Sequence, residues 1–272
     1  MTLTKLSSRN SSWRPRTNDI FRILIFAALL APSVLVVAQD EPDDRRPFEK
    51  PRRVYMGRIV AQYMSHQGAS WLIRPEREQE EKVSAAYEKL QLRPGMTVCD
   101  LGCGNGFWTL PMAKSVGDSG RVLAVDIQRE MLQKLRARAM KENVDNVQPI
   151  LGTISDPKLP VGEVDLVLMV DVYHEFSHPE SMLWSVRRSL KEDGVVALLE
   201  YREEDPAVPI KPLHKMSKRQ IIKEFTANGF KLVREHNDLP WQHLMFFARN
   251  DSPLSAIDPV PTEEVLEDLS SR

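Results

Sequence analysis

Seven residues at the end of an apolar run could hold a ligand: Asp100-Leu101-Gly102-Cys103-Gly104-Asn105-Gly106. Three glycines at this spacing let the backbone turn sharply and approach a bound group where any Cβ would collide. A dinucleotide site needs G-x-G-x-x-G, with a pyrophosphate on the helix N-terminus. Here the third position after Gly104 is the bulky Phe107, so the loop suits a ligand without phosphate. Asp126 ends the next apolar run, and its carboxylate can accept two ribose hydroxyls. A third candidate segment is Asp171-Val172-Tyr173-His174-Glu175-Phe176-Ser177-His178. Its last five residues spell H-E-x-x-H, which binds zinc when both histidines share one helix face. Pro179 disfavours helical backbone at His178, so the expectation is no metal there, with His178 turned away from His174.

These residues need a scaffold that brings loop ends together. Thr97–Leu101, Arg121–Asp126, Val147–Leu151, Val164–Val170 and Val195–Glu200 read as strands, the fourth almost continuously apolar. That is the pattern of strands buried on both faces of a parallel sheet. Between them, Phe107–Ser115 and the spacings of Met131, Leu132, Leu135 and Ala139 and of Met182, Leu183, Val186 and Leu190 read as helices, the last closed by Asp193-Gly194. Ser217-x-x-Gln220 reads as a capping box opening a helix that Gly229 ends. Phe230–Glu235 and Gln242–Ala248 are separated only by a short loop, so they should pair antiparallel.

The combination of DLGCGNG, VLAVDI and VDLVLMVDVYHEF resembles the class I S-adenosylmethionine-dependent methyltransferases over roughly residues 80–249. The nearest group is the small-molecule enzymes that include those of ubiquinone and menaquinone biosynthesis. The resemblance implies an α/β, Rossmann-like doubly wound sheet, mostly parallel, with a C-terminal antiparallel hairpin. It implies S-adenosylmethionine as cofactor, with its amino acid part on Asp100, Gly102, Cys103, Gly104 and Gly106, its ribose on Asp126 beside Ile127, and Asp171 at the sulfonium end. Many members carry Gly-Asp after the third strand to meet the adenine; here the residues are Gly152-Thr153, so Thr153 or Asp156 would take that role. Tyr173, His174 and Glu175 are the candidate catalytic residues at the acceptor side, and His174 or Glu175 could equally be a helix cap or pocket wall. A small-molecule acceptor is expected. The alternatives are a cofactor-binding module without catalysis and a nicotinamide oxidoreductase.

Of 272 residues, 42% are hydrophobic and 28% charged, which excludes a mainly disordered chain, and two cysteines exclude a disulfide scaffold. Ile23–Ala38 is an uncharged apolar run behind Arg14, Arg16 and Arg22, with Val36-x-Ala38 as a cleavage site. It reads as a signal peptide over 1–38, or as a membrane anchor if uncleaved, so the domain is expected to be exported or tethered. A formal charge of −1 overall and +4 in residues 1–38 leave −5 for the rest, which argues against nucleic acid. Residues 39–53 read as a charged linker, 54–250 as the domain with an N-terminal helical lid, and 251–272 as a flexible acidic tail. Met56, Met64, Trp71 and Leu72 are candidate lid residues; Arg202, Lys211, His214 and Lys215 could meet an anionic acceptor.

Overall fold

The computed structural model describes residues 51–271, so the expected signal or anchor segment and most of the expected linker lie outside the described residues. The chain enters as a short hairpin, β1 (Val54–Tyr55) and β2 (Arg58–Ile59), then two 3-10 turns at His66–Gly68 and Trp71–Ile73. Helices α1 (Arg77–Glu81) and α2 (Val83–Lys89) follow. The expected helical lid is therefore a strap of turns. Its β-branched and glycine-containing sequence, with Met56 and Gly57 at positive φ in the hairpin, cannot sustain a helix there.

The body is one seven-stranded sheet. Its strands are β3 (Thr97–Leu101), β4 (Arg121–Asp126), β5 (Val147–Leu151), β6 (Val164–Val170), β7 (Leu190–Tyr201), β8 (Phe230–His236) and β9 (Gln242–Arg249). They lie in the order β5-β4-β3-β6-β7-β9-β8. The first five are parallel, and β9 pairs antiparallel with both β7 and β8. This matches the fold expected from the resemblance. Strand order reverses between β3 and β6, and open α/β sheets bind ligands at the carboxyl edge of such a point.

Alternate residues of each strand serve opposite layers. Cys99, Val167, Leu198 and Phe247 pack against α5 (Pro179–Ser189) and α6 (Lys218–Ala227) through Leu183, Val186, Ile221 and Phe225. Val98, Leu166, Ala197 and Phe246 pack against α2 and α3 (Thr109–Val116) through Ala86, Leu90, Met112 and Val116. Helix α4 (Arg129–Lys141) seals the β4 side with Leu132 and Leu135. Each such fully buried side chain contributes about 1.5–3 kcal/mol.

Two local readings differ from expectation. Asp193-Gly194 does not end a helix and start a strand; it lies inside β7, where pairing with β6 jumps from Leu190 to Val195. A Cβ on Gly194 would come within 2.7 Å of the Val164 carbonyl, so the bulge needs glycine. Within residues 251–272, Thr262–Ser270 forms helix α7 rather than flexible tail. Val265 is buried, and Lys218 Nζ anchors the approach by donating to the Val260 carbonyl at 2.9 Å while pairing with Glu235.

The strap is bolted to the body by a buried ion pair. Arg58 Nε and Nη2 donate to the two carboxylate oxygens of Glu224 at 2.8 and 3.0 Å, and Tyr173 Oη donates to Glu224 Oε2 at 2.8 Å. Removing one partner of a buried pair leaves the other charge without compensation. Glu224→Ala is expected to cost about 3–5 kcal/mol, measured by urea denaturation; a loss below about 1 kcal/mol would show that the pair is dispensable.

Candidate functional site

A cleft of about 660 Å³ opens at the carboxyl ends of β3, β4 and β6. Asp100, Gly102, Cys103 and Gly104 form one wall, Asp126, Ile127 and Gln128 a second, Asp171, Val172 and Glu175 a third. Met64, Trp71 and Leu72 of the strap close the fourth side. The size suits a nucleoside-sized ligand with room for a second small molecule.

The glycine loop is held by its own backbone. Gly102 and Cys103 donate their N–H groups to the Val125 carbonyl at 2.8 and 2.9 Å. Gly104 N–H donates to Asp126 Oδ2 at 2.9 Å, and Gly106 N–H to the Cys103 carbonyl at 2.9 Å. These donors are committed, so they do not form the cradle of free N–H groups that a pyrophosphate needs. Helix α3 starts only at Thr109, with no side-chain cap.

The three glycines have different jobs. Gly104, at φ +53°, faces the cleft, and a Cβ there would come within 2.7 Å of Leu72 Cδ1. Gly102 lines the cleft too, but its Cβ would strike Val172. Gly106 does not line it: a Cβ would fall 2.2 Å from Leu135 Cδ1, so this glycine admits close packing of α4.

The cleft is acidic. Burial pushes the Asp100 carboxyl from 3.8 up to about 7, against the Thr109 hydroxyl that donates to it at 2.5 Å. Burial likewise raises Asp126, offset by N–H donations from Gln128 and Gly104. Asp171 is pushed up by burial and by the nearby carboxylates of Glu81 and Glu200, although Gln242 Nε2 donates to both its oxygens at 2.9 and 2.8 Å. Asp171 holds a left-handed φ of 49°. Burial raises Glu175 from 4.5 to about 7, and its Oε1 accepts the Met64 N–H at 3.1 Å. Arg77 is a buried cation on the wall, paired with Glu81 and lying over the Phe107 ring.

Several expected site residues fall elsewhere. Tyr173 turns its ring into the core against Phe176 and Phe225 and spends its hydroxyl on Glu224. His174 is buried against Glu200 and His214 and does not line the cleft. Both follow from the 3-10 turn over Tyr173–Glu175, whose threefold repeat sends three successive side chains in three directions. Glu175 alone of the three faces the cleft. Gly152 packs on Val125 behind the wall, its N–H donated to the Asp126 carbonyl. Thr153 lines the cleft, but its hydroxyl accepts from Asp156 N–H at 2.9 Å, and Asp156 accepts from Lys158 N–H at 2.8 Å. Asp156 is thus spent on a local turn and does not reach back. His178 occupies the N-cap position of α5 without a side-chain capping bond, and its ring contacts Ser177 Oγ, apart from the partners of His174. Cys99 and Cys103 are free and buried. Sequence reasoning missed Arg77 and Gln128; neither sits in a motif, and only tertiary contact places them here.

A family model described as a methyltransferase domain matches residues 92–245. The chain belongs to this methyltransferase domain family. Among relatives, this methyltransferase domain is 32% identical over 106 residues to nocamycin O-methyltransferase of Saccharothrix syringae, covering 39% of this chain and 38% of that protein. It is 28% identical over 156 residues to demethylmenaquinone methyltransferase of Lactobacillus johnsonii, covering 56% of this chain and 60% of that protein. The chain thus spans less than two thirds of these relatives' length. A SAM-dependent methyltransferase of Aquifex aeolicus shares the fold, with a TM-score of 0.64 at 24% identity over 68% of this chain and 98% of that one. The family's cofactor is S-adenosylmethionine, and the residues present fit it. Gly104 leaves open the space a Cβ would fill, Asp100 and Asp126 offer carboxylates, and the loop demands no phosphate.

The raised carboxyls set a pH dependence. The unfolded chain loses the Asp100 proton near 3.8, the folded one only near 7, so between these values the folded state binds more protons. Stability of the cofactor-free protein is therefore expected to fall as pH rises from about 4 to about 7, with Glu175 contributing in the same direction. Asp100→Asn should flatten this fall in denaturation midpoints; an unchanged slope would contradict the assignment.

Proposed function

We propose that this chain is an S-adenosylmethionine-dependent methyltransferase whose acceptor is a small molecule bound beside Glu175. The observation that carries the reading is the acidic lining of the cleft, whose raised carboxyls ionise when a positive charge arrives beside them. Asp100, Asp126, Asp171 and Glu175 line a site whose glycine-loop N–H groups are internally bonded. Such a site favours a ligand bearing positive charge and disfavours a dinucleotide with its two phosphates.

Bound S-adenosylmethionine supplies a methyl group on a cationic sulfur, which an acceptor lone pair displaces in line. The protein's own contribution is alignment and the exclusion of water. Asp126 can accept ribose hydroxyls with lone pairs left by its two backbone bonds. Met64, Trp71 and Leu72 line the strap side of the cleft, where they can limit the access of water to a bound ligand. Glu175 stands on the acceptor side, where its carboxylate can take the proton of a hydroxyl or amine acceptor. The small organic acceptors in the names of the relatives support this class of acceptor. The apolar run at residues 23–38 supports export, or a membrane tether if it is retained.

The test is turnover. The full chain is incubated with S-adenosylmethionine and a panel of phenols, hydroquinones and amines, and S-adenosylhomocysteine and methylated products are followed by mass spectrometry. Turnover is expected with at least one acceptor, and Glu175→Gln should lower kcat about 10²–10⁴-fold with a much smaller loss of cofactor affinity. Tight cofactor binding with no methylation across the panel would favour a binding module instead.

A further inference from the structure

Two imidazoles stand next to Glu175, and no step above uses them. His174 lies in the turn after β6, and His214 in the 3-10 turn Pro212–His214 of the loop after β7. His174 Nε2 and His214 Nδ1 are 3.0 Å apart, with the rings nearly perpendicular at 87°. One ligand atom from each of His174, Glu175 and His214 lies within 4.8 Å of the others. His174 Nδ1 sits 2.6 Å from Glu200 Oε2, and Glu200 Oε1 also accepts the His174 backbone N–H at 3.2 Å. Both side chains are buried. Glu200 therefore fixes the ring with Nδ1 as its donor, which leaves Nε2 as the nitrogen that faces His214.

We propose that His174 Nε2, His214 Nδ1 and the Glu175 carboxylate bind a divalent cation of the zinc class beside the methyl-donor cleft. Two imidazole nitrogens about 2.0–2.1 Å from zinc at a tetrahedral angle lie about 3.3 Å apart. The observed 3.0 Å needs to open by a few tenths of an ångström, the two nitrogens must turn from facing each other to face the metal, and the Glu175 oxygen, within 4.8 Å, closes on them. Without the cation, one proton lies between His174 Nε2 and His214 Nδ1. On binding, that proton leaves to solvent, which the partial exposure of His214 allows, and both lone pairs turn to the metal. Glu200 plays the part of the outer-shell carboxylate that orients a metal-bound histidine and raises its basicity. Three protein ligands leave a fourth position open, as in catalytic rather than structural zinc sites. Because Glu175 also lines the cleft, that position borders the acceptor space.

The role of the cation rests on the methyl-transfer reading; its binding does not. With the cation bound, Glu175 would be a ligand and the cation would activate an acceptor oxygen, nitrogen or sulfur, so the base role given to Glu175 above is that of the cation-free form, and Glu175→Gln impairs turnover in either form. The H-E-x-x-H string thus contributes its first two residues and not its last. The third ligand comes from the loop after β7, about 40 residues away, which no spacing rule anticipates.

The test uses the tag-free full chain, stripped with chelator and titrated by calorimetry with zinc alone, and separately with S-adenosylmethionine. One zinc per chain is expected. Outer-shell substitutions cost about 10–100-fold in metal affinity, so Glu200→Gln should weaken zinc by that factor. His214→Ala, a direct ligand, should weaken it at least as much, with S-adenosylmethionine affinity retained as evidence that the variant is folded. No stoichiometric zinc in the wild type, or full affinity in His214→Ala, would overturn the site. Zinc bound as expected by a chain that fails to bind S-adenosylmethionine would uphold the site and strike the methyl-transfer reading alone.

Discussion

The Asp126 carboxylate is the joint on which the site depends. One oxygen accepts the Gly104 N–H at 2.9 Å and the other the Gln128 N–H at 2.8 Å. The first bond holds the glycine loop after β3 against the end of β4. The second shapes the turn that leads into α4. Gln128 then reaches across the cleft: its amide donates to the Met64 carbonyl at 2.8 Å and accepts the His66 N–H at 2.8 Å. One acid at a strand end thus positions the cofactor loop, its own ribose-facing edge and the strap above them. Charge-assisted bonds of this kind contribute about 1.5–3 kcal/mol each when buried, enough to hold a loop in one conformation.

The strap has few apolar anchors of its own and is held by ties to the loops it covers. Met64 N–H donates to Glu175, Ala61 N–H to the His174 carbonyl, and Asn105 donates to the Ala69 carbonyl at 2.7 Å. Leu72 then sits over Gly104. Each tie is a single hydrogen bond, whereas Arg58–Glu224–Tyr173 at the other end is a buried network. Ties of unequal strength make the Arg58 end the fixed one and the Met64–Leu72 stretch the part best able to open for a ligand.

The scaffold was legible in the sequence because it rests on local pattern. The apolar run of β6 and the short β8–β9 connection state their pairing directly, and the glycines after β3 mark the ligand edge. The half of the capping box at Ser217 that bonds the Gln220 N–H is present. The other half is lost because the Gln220 side chain goes to Glu224 and Met56. What could not be read depends on side-chain direction within a turn or on contacts across the chain. Three adjacent candidates, Tyr173, His174 and Glu175, part company because the turn is 3-10. Thr153 spends its hydroxyl on Asp156, a choice that neighbours make. Arg77 and Gln128 are placed at the site only by segments distant in sequence, and so is the pairing of His214 with His174. The order in the C-terminal segment comes from a buried Lys218–Glu235 pair that composition does not reveal.

The central claim is that the glycine loop receives the amino acid end of a cationic, phosphate-free cofactor. Calorimetric titration of the full chain, wild type and Gly104→Val, with S-adenosylmethionine and with NAD tests it most directly. A Cβ at this position meets the flexible end of Leu72 but sits at a strained φ of +53°, so folding of the variant is checked by its denaturation midpoint, and its side chain intrudes on the cleft. One S-adenosylmethionine site in the wild type, its loss in the folded variant and no binding of NAD are the predicted result. Unchanged S-adenosylmethionine affinity in folded Gly104→Val, or NAD bound in its place, would contradict the account.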